Sequence, residues 1–238
     1  MMDFGTFQSW AETLGVPVSE PQFRLFEQYV SLLAAKNEEV NLTAIRDERE
    51  AWIKHVLDSI AAARFLDFKS KSKWLDIGTG GGLPGIPLSI LFPYTEFVLL
   101  DSVQKKVDAV KGFADSLHLM NLQAVWDRAE TIGQDGSHRE QYDGVLTRAV
   151  APLRVLLELS IPLIHPYGKV VIYKGPDYIT ELNEARNAIV KLHAEPPRVY
   201  HYVLPEHMGD RTILEVTKKE PTPAAYPRRP GLPNNKPL

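Results

Sequence analysis

The sequence predicts an α/β protein in which a mostly parallel, doubly wound sheet of seven strands follows an N-terminal helical extension. Three observations predict this fold. Short apolar runs alternate with helical segments from residue 73 onward, a glycine-rich turn follows the first apolar run, and the first 64 residues repeat their apolar positions at helical spacing. Strand–helix alternation is typical of parallel strands joined by crossover helices.

The N-terminal extension contains two predicted helices, each with its own start signal. Ser19 and Gln22 form a capping-box pair, and Asp47 with Glu50 begins the second helix. Residues at helical spacing follow each start: Phe23, Phe26, Val30 and Leu33 in the first helix, and Trp52, Val56, Ser59, Ile60 and Ala63 in the second. We expect residues 1–70 to form a helical unit packed on the core.

Residues 71–219 are expected to form the sheet domain. Its predicted strands are 74–77, 97–100, 123–126, 144–147, 170–173, 199–203 and 212–217. The predicted helices between them are 85–91, 104–117, 153–164 and 178–193. A chain of 238 residues, 44% of them hydrophobic, is long enough to bury one large core of this kind.

The composition excludes several classes of protein. The chain contains no cysteine, which rules out disulfide frameworks, cysteine-ligated zinc, iron–sulfur clusters and thiolate nucleophiles. Residues 1–15 lack the basic start and apolar run of a signal peptide, and no apolar run approaches the roughly 20 residues of a membrane span. We therefore expect a cytoplasmic protein with no membrane association; it is also expected to be a monomer.

The charge is unevenly distributed along the chain. The net charge is −3, yet residues 218–238 carry five basic side chains, one acidic side chain and six of the eighteen prolines. A segment of this composition cannot bury much, so residues 220–238 are predicted to form an extended basic arm. It is either a solubilising tail or an arm that contacts nucleic acid phosphates, and charge alone does not decide between them.

The most informative motif follows the first predicted strand. Asp76, Gly78, Gly80 and Gly82 form the pattern D-x-G-x-G-x-G, which differs from the G-x-G-x-x-G of nicotinamide and flavin enzymes. Glycines permit positive φ and close approach of a ligand, and open α/β sheets bind ligands beyond the carboxyl ends of their strands. Asp76 is placed to meet an ammonium group there. A tight strand-to-helix turn without a ligand is the alternative.

Asp101 ends the second predicted strand and adds to this motif. An acid at that position can accept both hydroxyls of a ribose. Taken alone, Asp101 would more often be the cap of the helix predicted from residue 104. Its distance along the chain from the glycine-rich turn favours the interpretation as a ribose ligand.

The glycine motif resembles the first motif of the seven-stranded, Rossmann-like S-adenosylmethionine-dependent methyltransferases, and Asp101 is similar to their second motif. The resemblance implies S-adenosyl-L-methionine as the cofactor. It also implies that residues 127–130 hold the adenine, although Ala129 and Glu130 taken alone would indicate the start of a surface helix.

Further motifs narrow the resemblance to one family. In order along the chain they are Asn41-Leu42-Thr43-Ala44-Ile45, His55-Val56-Leu57-Asp58-Ser59, Gly82-Leu83-Pro84-Gly85-Ile86-Pro87, Asp101-Ser102-x-x-Lys105-Lys106, Arg128-Ala129-Glu130, Thr147-Arg148-Ala149, Lys174-Gly175 and Tyr226-Pro227-Arg228-Arg229-Pro230-Gly231. Together they resemble the bacterial ribosomal RNA small-subunit methyltransferase G (RsmG) family, also named glucose-inhibited division protein B. The resemblance implies methyl transfer from S-adenosylmethionine to guanine N7 in the 530 loop of 16S rRNA. It implies cofactor contacts at Gly78, Leu83, Ala129, Glu130 and Arg148, although Leu83 stands where many members carry Phe.

The residue types agree with attack by a ring nitrogen. Guanine N7 has a lone pair and no proton to lose, so alignment matters more than a general base. No cysteine is present for a covalent base adduct, and residues 147–150 lack the Asn/Asp-Pro-Pro-aromatic motif common in methylases of exocyclic amines. We expect Arg148 to bridge cofactor and target, and Arg128 to hold RNA or the shape of the site. A surface salt bridge is the alternative for either arginine.

Other polar residues have open or weaker assignments. His55 and Asp58 lie one helical turn apart, a spacing that suits a proton relay, a contact with the active-site mouth or a helix-stabilising hydrogen bond. Contacts with RNA are expected from four basic residues: Lys105, Lys106, Arg228 and Arg229. The remaining histidines show no metal-ligand spacing, so no metal is expected.

Two other functions stay open from the sequence, a small-molecule methyltransferase and a module that binds S-adenosylmethionine or RNA without catalysis. The basic arm favours RNA, because phosphate neutralisation makes binding salt-sensitive. The expected partner is 16S rRNA, in the small ribosomal subunit or in an assembly intermediate. Removal of the residues after Lys219 is expected to weaken RNA binding and to leave cofactor binding intact.

Overall fold

Seven strands form one sheet in the computed structural model, which describes residues 2–238; Met1, the first residue of the predicted helical unit, lies outside the described residues. The strands are β1 (Lys73–Ile77), β2 (Glu96–Asp101), β3 (Leu122–Trp126), β4 (Tyr142–Arg148), β5 (Ile164–Lys174), β6 (Arg198–Val203) and β7 (Asp210–Thr217). All seven predicted strands are confirmed. β5 starts earlier than predicted because Ile164 pairs with Tyr142 of β4.

The strand order creates a crevice beside β1. The order is β3-β2-β1-β4-β5-β7-β6, in which β1 to β5 run parallel and β7 is antiparallel to both of its neighbours. The chain therefore extends the sheet in one direction from β1 to β3 and in the other from β4. Ligands of open α/β sheets bind at this switch point, beyond the carboxyl ends of β1 and β4.

The helices are α1 (Phe4–Thr13), α2 (Glu20–Asn37), α3 (Glu48–Ala51), α4 (Asp58–Ile60), α5 (Gly85–Leu91), α6 (Gln104–Ser116), α7 (Ala129–Ile132), α8 (Leu153–Ser160), α9 (Tyr178–Glu184), α10 (Arg186–Lys191) and α11 (Leu232–Asn235). The helix predicted over 153–164 ends early, because a 3₁₀ turn with Pro162 follows it. The helix predicted over 178–193 is divided at Ala185, whose ψ is −2°. α7 and α11 have four residues each, which is too few to show the apolar periodicity from which a helix is predicted.

Both predicted helix starts in the N-terminal unit are confirmed. Ser19 and Gln22 form a reciprocal capping box, and the Asp47 side chain accepts the N–H of Glu50 at 2.8 Å. A π-helical turn, Trp52–Leu57, joins α3 to α4. π-helical turns often occur at functional sites, and this one precedes Asp58.

The two faces of the sheet are covered by different elements. One face shares a hydrophobic cluster with the N-terminal unit, α5 and α6, through side chains such as Phe26, Trp52 and Leu99. The other face shares a cluster with α7, α8 and α10, through Ile77 and Leu157 among others. No helix within residues 2–238 is long and apolar enough to cross a membrane.

The prediction of an extended C-terminal arm is wrong. Residues 220–238 lie against the body of the protein, and the Arg228 guanidinium pairs with the fully buried carboxylate of Glu158. Arg139 donates to three main-chain carbonyls of the segment, those of Thr222, Pro223 and Tyr226. Composition could not show this, because Arg139 and Glu158, which hold the segment, lie more than 60 residues away along the chain.

Candidate active site

The glycine-rich turn follows β1 at the switch point. Gly78, Gly80 and Gly82 all adopt positive φ, at 68°, 58° and 93°, a conformation that favours glycine. A Cβ added to Gly82 would lie 2.3 Å from Ile86, whereas one added to Gly80 would meet no atom closer than 3.8 Å. The main chain at Gly80 therefore borders open space, which would allow a ligand to approach the backbone closely.

Asp76 lies beneath this turn and not on its surface. Its Oδ2 accepts hydrogen bonds from the Thr79 hydroxyl at 2.7 Å and from Gly85 N at 2.9 Å. Its Oδ1 has no hydrogen-bond partner in the part of the chain that the structure describes. Complete burial raises the pKa of Asp76 to about 6, despite these hydrogen bonds. Through these two hydrogen bonds, Asp76 stabilises the conformation of the turn.

Asp101 connects the end of β2 to the turn. One carboxylate oxygen accepts Gly80 N at 3.0 Å and the other accepts Val103 N at 2.9 Å. The N-cap of α6 is Val103 and has no side-chain capping bond, so Asp101 is not the helix cap. It instead holds the turn through Gly80 at the place where a ligand would lie.

Arg148 ends β4 and reaches the N-terminal unit. Its Nη1 donates to Asp58 Oδ2 at 3.1 Å and to the carbonyl of Lys54 at 3.3 Å. The second oxygen of Asp58 accepts the Tyr202 hydroxyl at 2.7 Å and lies 3.5 Å from Arg211 Nε. Asp58 is thus shared by groups from β4, β6 and β7. Sequence reasoning missed Tyr202 and Arg211, since no local signal connects them to Asp58.

His55 takes a different partner from Asp58. Its Nε2 lies 2.7 Å from the Thr43 hydroxyl, which already accepts Ile45 N at 3.1 Å. Burial, with the nearby Arg148 charge, lowers the pKa of His55 to about 4, so its imidazole is neutral near pH 7. The structure places both side chains at the active-site mouth; within residues 2–238 their side chains do not bond to each other, while the Asp58 main-chain N–H donates to the carbonyl of His55.

A cavity of about 550 Å³ lies between the glycine-rich turn and the N-terminal unit. Basic side chains outnumber acidic ones among the residues that line it, although the whole protein is acidic. The charged residues that line it are Lys54, Lys106, Arg148, Lys174 and Arg211, with Asp58 as the one acid. Lys106 has no acidic partner within residues 2–238, so its charge is available to a ligand.

The predicted site residues divide into two groups, those that line this cavity and those that do not. Gly78, Gly80, Leu83, Lys106 and Arg148 line this cavity. The others do not: Asp76, Asp101, Lys105, Arg128, Ala129, Glu130, Arg228 and Arg229. Ala129 and Glu130 begin α7, beyond Asp101, and Asp127 N donates to the carbonyl of Asp101 at 3.3 Å.

The contacts of Arg228 and Glu130 correct or limit two of these predictions. Arg228 is held by Glu158 and is not available as an RNA contact. Glu130 accepts Gly231 N at 3.0 Å, so this side-chain oxygen is directed toward the C-terminal segment. Arg128 is exposed and caps α7 without a side-chain hydrogen bond. In residues 2–238, no group of three or more acidic or histidine side chains is arranged to hold a metal ion.

The fold and the site at its switch point define a protein class. The structure aligns with an S-adenosylmethionine-dependent O-methyltransferase from Thermotoga maritima at a TM-score of 0.54 and 13% identity, over 79% of this chain and 71% of that chain. It aligns with ribosomal protein L11 methylase from Lactobacillus delbrueckii subsp. bulgaricus at 0.52 and 17%, over 70% and 79%. The protein has the fold of the S-adenosylmethionine-dependent methyltransferases.

Sequence comparison identifies the family within this class. Residues 22–209 match the family described as rRNA small subunit methyltransferase G. A relative of that name from Carboxydothermus hydrogenoformans is 40% identical over 94% of this chain and 95% of its own length. Another, from Bacillus subtilis, is 38% identical over 100% and 99%. The chain belongs to the rRNA small subunit methyltransferase G family, and the predicted resemblance is confirmed.

Proposed function

We propose that the protein transfers a methyl group from S-adenosyl-L-methionine to N7 of a guanine in the 530 loop of 16S rRNA. The observation that carries this proposal is the basic cavity at the switch point, which Arg148 enters beside the glycine-rich turn. Arg148 and Arg211 share one carboxylate and Lys106 has no acidic partner within residues 2–238, so the cavity keeps positive charge that favours an anionic substrate such as RNA. Membership of the family supports the same substrate.

The residues at the turn fit S-adenosylmethionine. Gly80 leaves space for close approach, Asp101 is placed to accept ribose hydroxyls, and buried Asp76 Oδ1 is an unpaired acceptor that suits the ligand's ammonium group. Ala129 and Glu130 would hold the adenine through their main chain. The bound cofactor supplies a methyl group on a positively charged sulfur.

The chain's own contribution to the reaction is alignment. Guanine N7 attacks through a lone pair and loses no proton, so no general base is required. His55 is neutral and bonded to Thr43, which agrees with a role in shaping the site. Both hydrogen bonds of Arg148 to described residues use Nη1, which leaves Nε and Nη2 to orient the base or a phosphate.

The proposed partner is 16S rRNA in the small ribosomal subunit or an assembly intermediate, in the cytoplasm, with the enzyme as a monomer. Lys106 would contact RNA at the cavity, while exposed Lys105, Arg128 and Arg229 would contact phosphates outside it. The acidic remainder of the surface requires such local basic patches for attraction.

Nucleoside mass spectrometry tests this function. Purified protein is incubated with S-adenosylmethionine and 16S rRNA, either naked or in small subunits from cells that lack the protein. We expect one new 7-methylguanosine, located in the 530 loop by fragment analysis. Transfer to another position would contradict the proposed target. Cofactor binding without methylation of any RNA form would support a non-catalytic binding module instead.

A further inference from the structure

The C-terminal segment, residues 220–238, crosses the outer side of α7 and α8. Its six prolines between 221 and 237 lack N–H groups, so the segment has little capacity to form a regular backbone ladder. Arg139 satisfies its carbonyls instead, with contacts of 2.6 to 3.3 Å to Thr222, Pro223 and Tyr226. The segment is therefore held along its length by side chains of the body.

Arg228 is the main anchor of the segment. Its Nε and Nη2 donate to the two carboxylate oxygens of Glu158, at 2.7 and 2.6 Å, and its main-chain N donates to Glu158 Oε1 at 2.9 Å. Glu158 is fully buried on α8. A buried carboxylate is stable only when it is paired and hydrogen-bonded, so this contact fixes the segment in one position.

The residues around this anchor contact α7 and the turn that follows it. Gly231 N donates to Glu130 Oε1 at 3.0 Å, and the Pro227 carbonyl accepts Gln134 Nε2 at 2.7 Å. Pro227 also lies directly on Gly133, since a Cβ added there would be 2.6 Å from Pro227 Cγ. Residues 226–231 thus contact α7 at Glu130 and the turn after it at Gly133 and Gln134. We call residues 226–231 the clamp.

We propose that the clamp positions α7 for the adenine of the cofactor. The proposal rests on the proposed function, which assigns the adenine to Ala129 and Glu130. α7 is a single turn of four residues, and its N-cap Arg128 makes no side-chain capping bond. Helices this short are not stable by themselves, so the position of α7 depends on its neighbours. Arg228 and its two flanking contacts are accordingly positioning residues and do not touch the reacting atoms.

This role changes the expected effect of removing the C-terminal segment. A chain that ends at Lys219 loses the partners of Glu158 and Glu130 together. We expect cofactor binding to weaken in such a chain, and not RNA binding alone.

Arg228→Gln tests the proposal in the full chain. Isothermal titration calorimetry with S-adenosylmethionine should show a cofactor Kd about tenfold above that of the unaltered protein. Hydrogen exchange without cofactor should show faster exchange of amides 129–134. The Kd for a 530-loop RNA hairpin should rise by a smaller factor than the cofactor Kd, because Arg128 and Arg229 are only two of the proposed phosphate contacts. If Arg228→Gln fails to fold, the double variant Arg228→Gln/Glu158→Gln is measured in the same way, because it removes both charges of the pair.

Two controls separate positioning from general destabilisation. Lys236→Gln removes one exposed positive charge from the same segment, outside the clamp, and should leave the cofactor Kd unchanged. Glu140→Gln weakens the anchors at Lys218 and Thr222, away from α7, and should lower Tm without changing the cofactor Kd.

A cofactor Kd in the Arg228 variant within twofold of the unaltered protein would overturn the proposal. An equal rise in Glu140→Gln would also overturn it, because the clamp would then act through stability alone. If the unaltered protein does not bind S-adenosylmethionine, the proposed function itself has failed. If it binds the cofactor but methylates no RNA, the function has failed while the clamp is still tested by the Kd values.

Discussion

Asp58 of the N-terminal helical unit and Arg148 of β4 form an ion pair of 3.1 Å at the mouth of the basic cavity. The side chains are 7% and 13% exposed, so the pair is poorly screened by solvent. It connects the helical unit to the carboxyl edge of the sheet. We assign Arg148 to substrate alignment. Its position therefore depends on Asp58, which belongs to the N-terminal helical unit.

Arg148→Ala should lower kcat/KM for RNA methylation by about 100-fold, because misplacement of a reacting group costs about that factor. Arg148→Lys should recover only part of this loss, since lysine keeps the charge but not the planar fork. Single-turnover methylation of small subunits provides the measurement. Full activity in the alanine variant would exclude the alignment role.

Asp58→Asn should reduce both stability and activity. It leaves Arg148 and Arg211 near one another without the shared negative charge, and breaking a buried ion pair costs about 3 kcal/mol or more. Tyr202→Phe is the matched control, because it removes one hydrogen bond to the same carboxylate and no charge. Urea unfolding and single-turnover rates should show a larger loss for Asp58→Asn. Equal losses would argue against the ion pair.

Two buried groups should make opposite contributions to the pH dependence of stability. The pKa of His55 is about 4 against an ordinary 6.5, so the unfolded chain takes up this proton first and stability falls as pH decreases from 6.5 to 4. The pKa of Asp76 is about 6 against 3.8, so the folded protein protonates first and stability rises as pH decreases from 6 to 3.8.

Asp76→Asn should expose the contribution of His55. Without the opposing carboxyl group, the free energy of unfolding should fall more steeply with decreasing pH between 6 and 4, by up to about 1.4 kcal/mol per pH unit. Urea unfolding at a series of pH values measures this slope for both proteins. A variant whose slope matches that of the unaltered protein would show that Asp76 does not titrate in this range.

Lys106→Gln should weaken RNA binding and reduce its salt dependence. Removal of one phosphate contact is expected to lower the slope of log K against log salt by about 1. Lys69→Gln is the control, because Lys69 is exposed and precedes β1, at the opposite edge of the sheet. RNA affinities between 50 and 200 mM salt, roughly the range over which such contacts are resolved, provide the test. Equal slopes for both variants would remove Lys106 from the RNA site.

Several features of this protein were determined by local sequence. The seven strands follow from short apolar runs, and the helix starts at Ser19 and Asp47 follow from side chains that cap a backbone N–H three residues away. The turn at Gly78–Gly82 follows from the need for positive φ. Periodicity, capping and turn conformation depend on neighbouring residues, and for that reason a sequence pattern is sufficient to predict them.

Only the tertiary structure decided which distant groups meet. Asp58 and Tyr202 are 144 residues apart, and the spacing of Asp58 with His55 left the partners of Asp58 open. Composition predicted a free basic arm, yet buried Glu158 binds Arg228 and holds the segment on α7 and α8. Asp76 was predicted to meet the ligand and lies under the turn, with one oxygen unpaired. Burial and pairing depend on the packing of the whole chain, because the cost of an unpaired buried charge is set by its surroundings and not by its sequence neighbours.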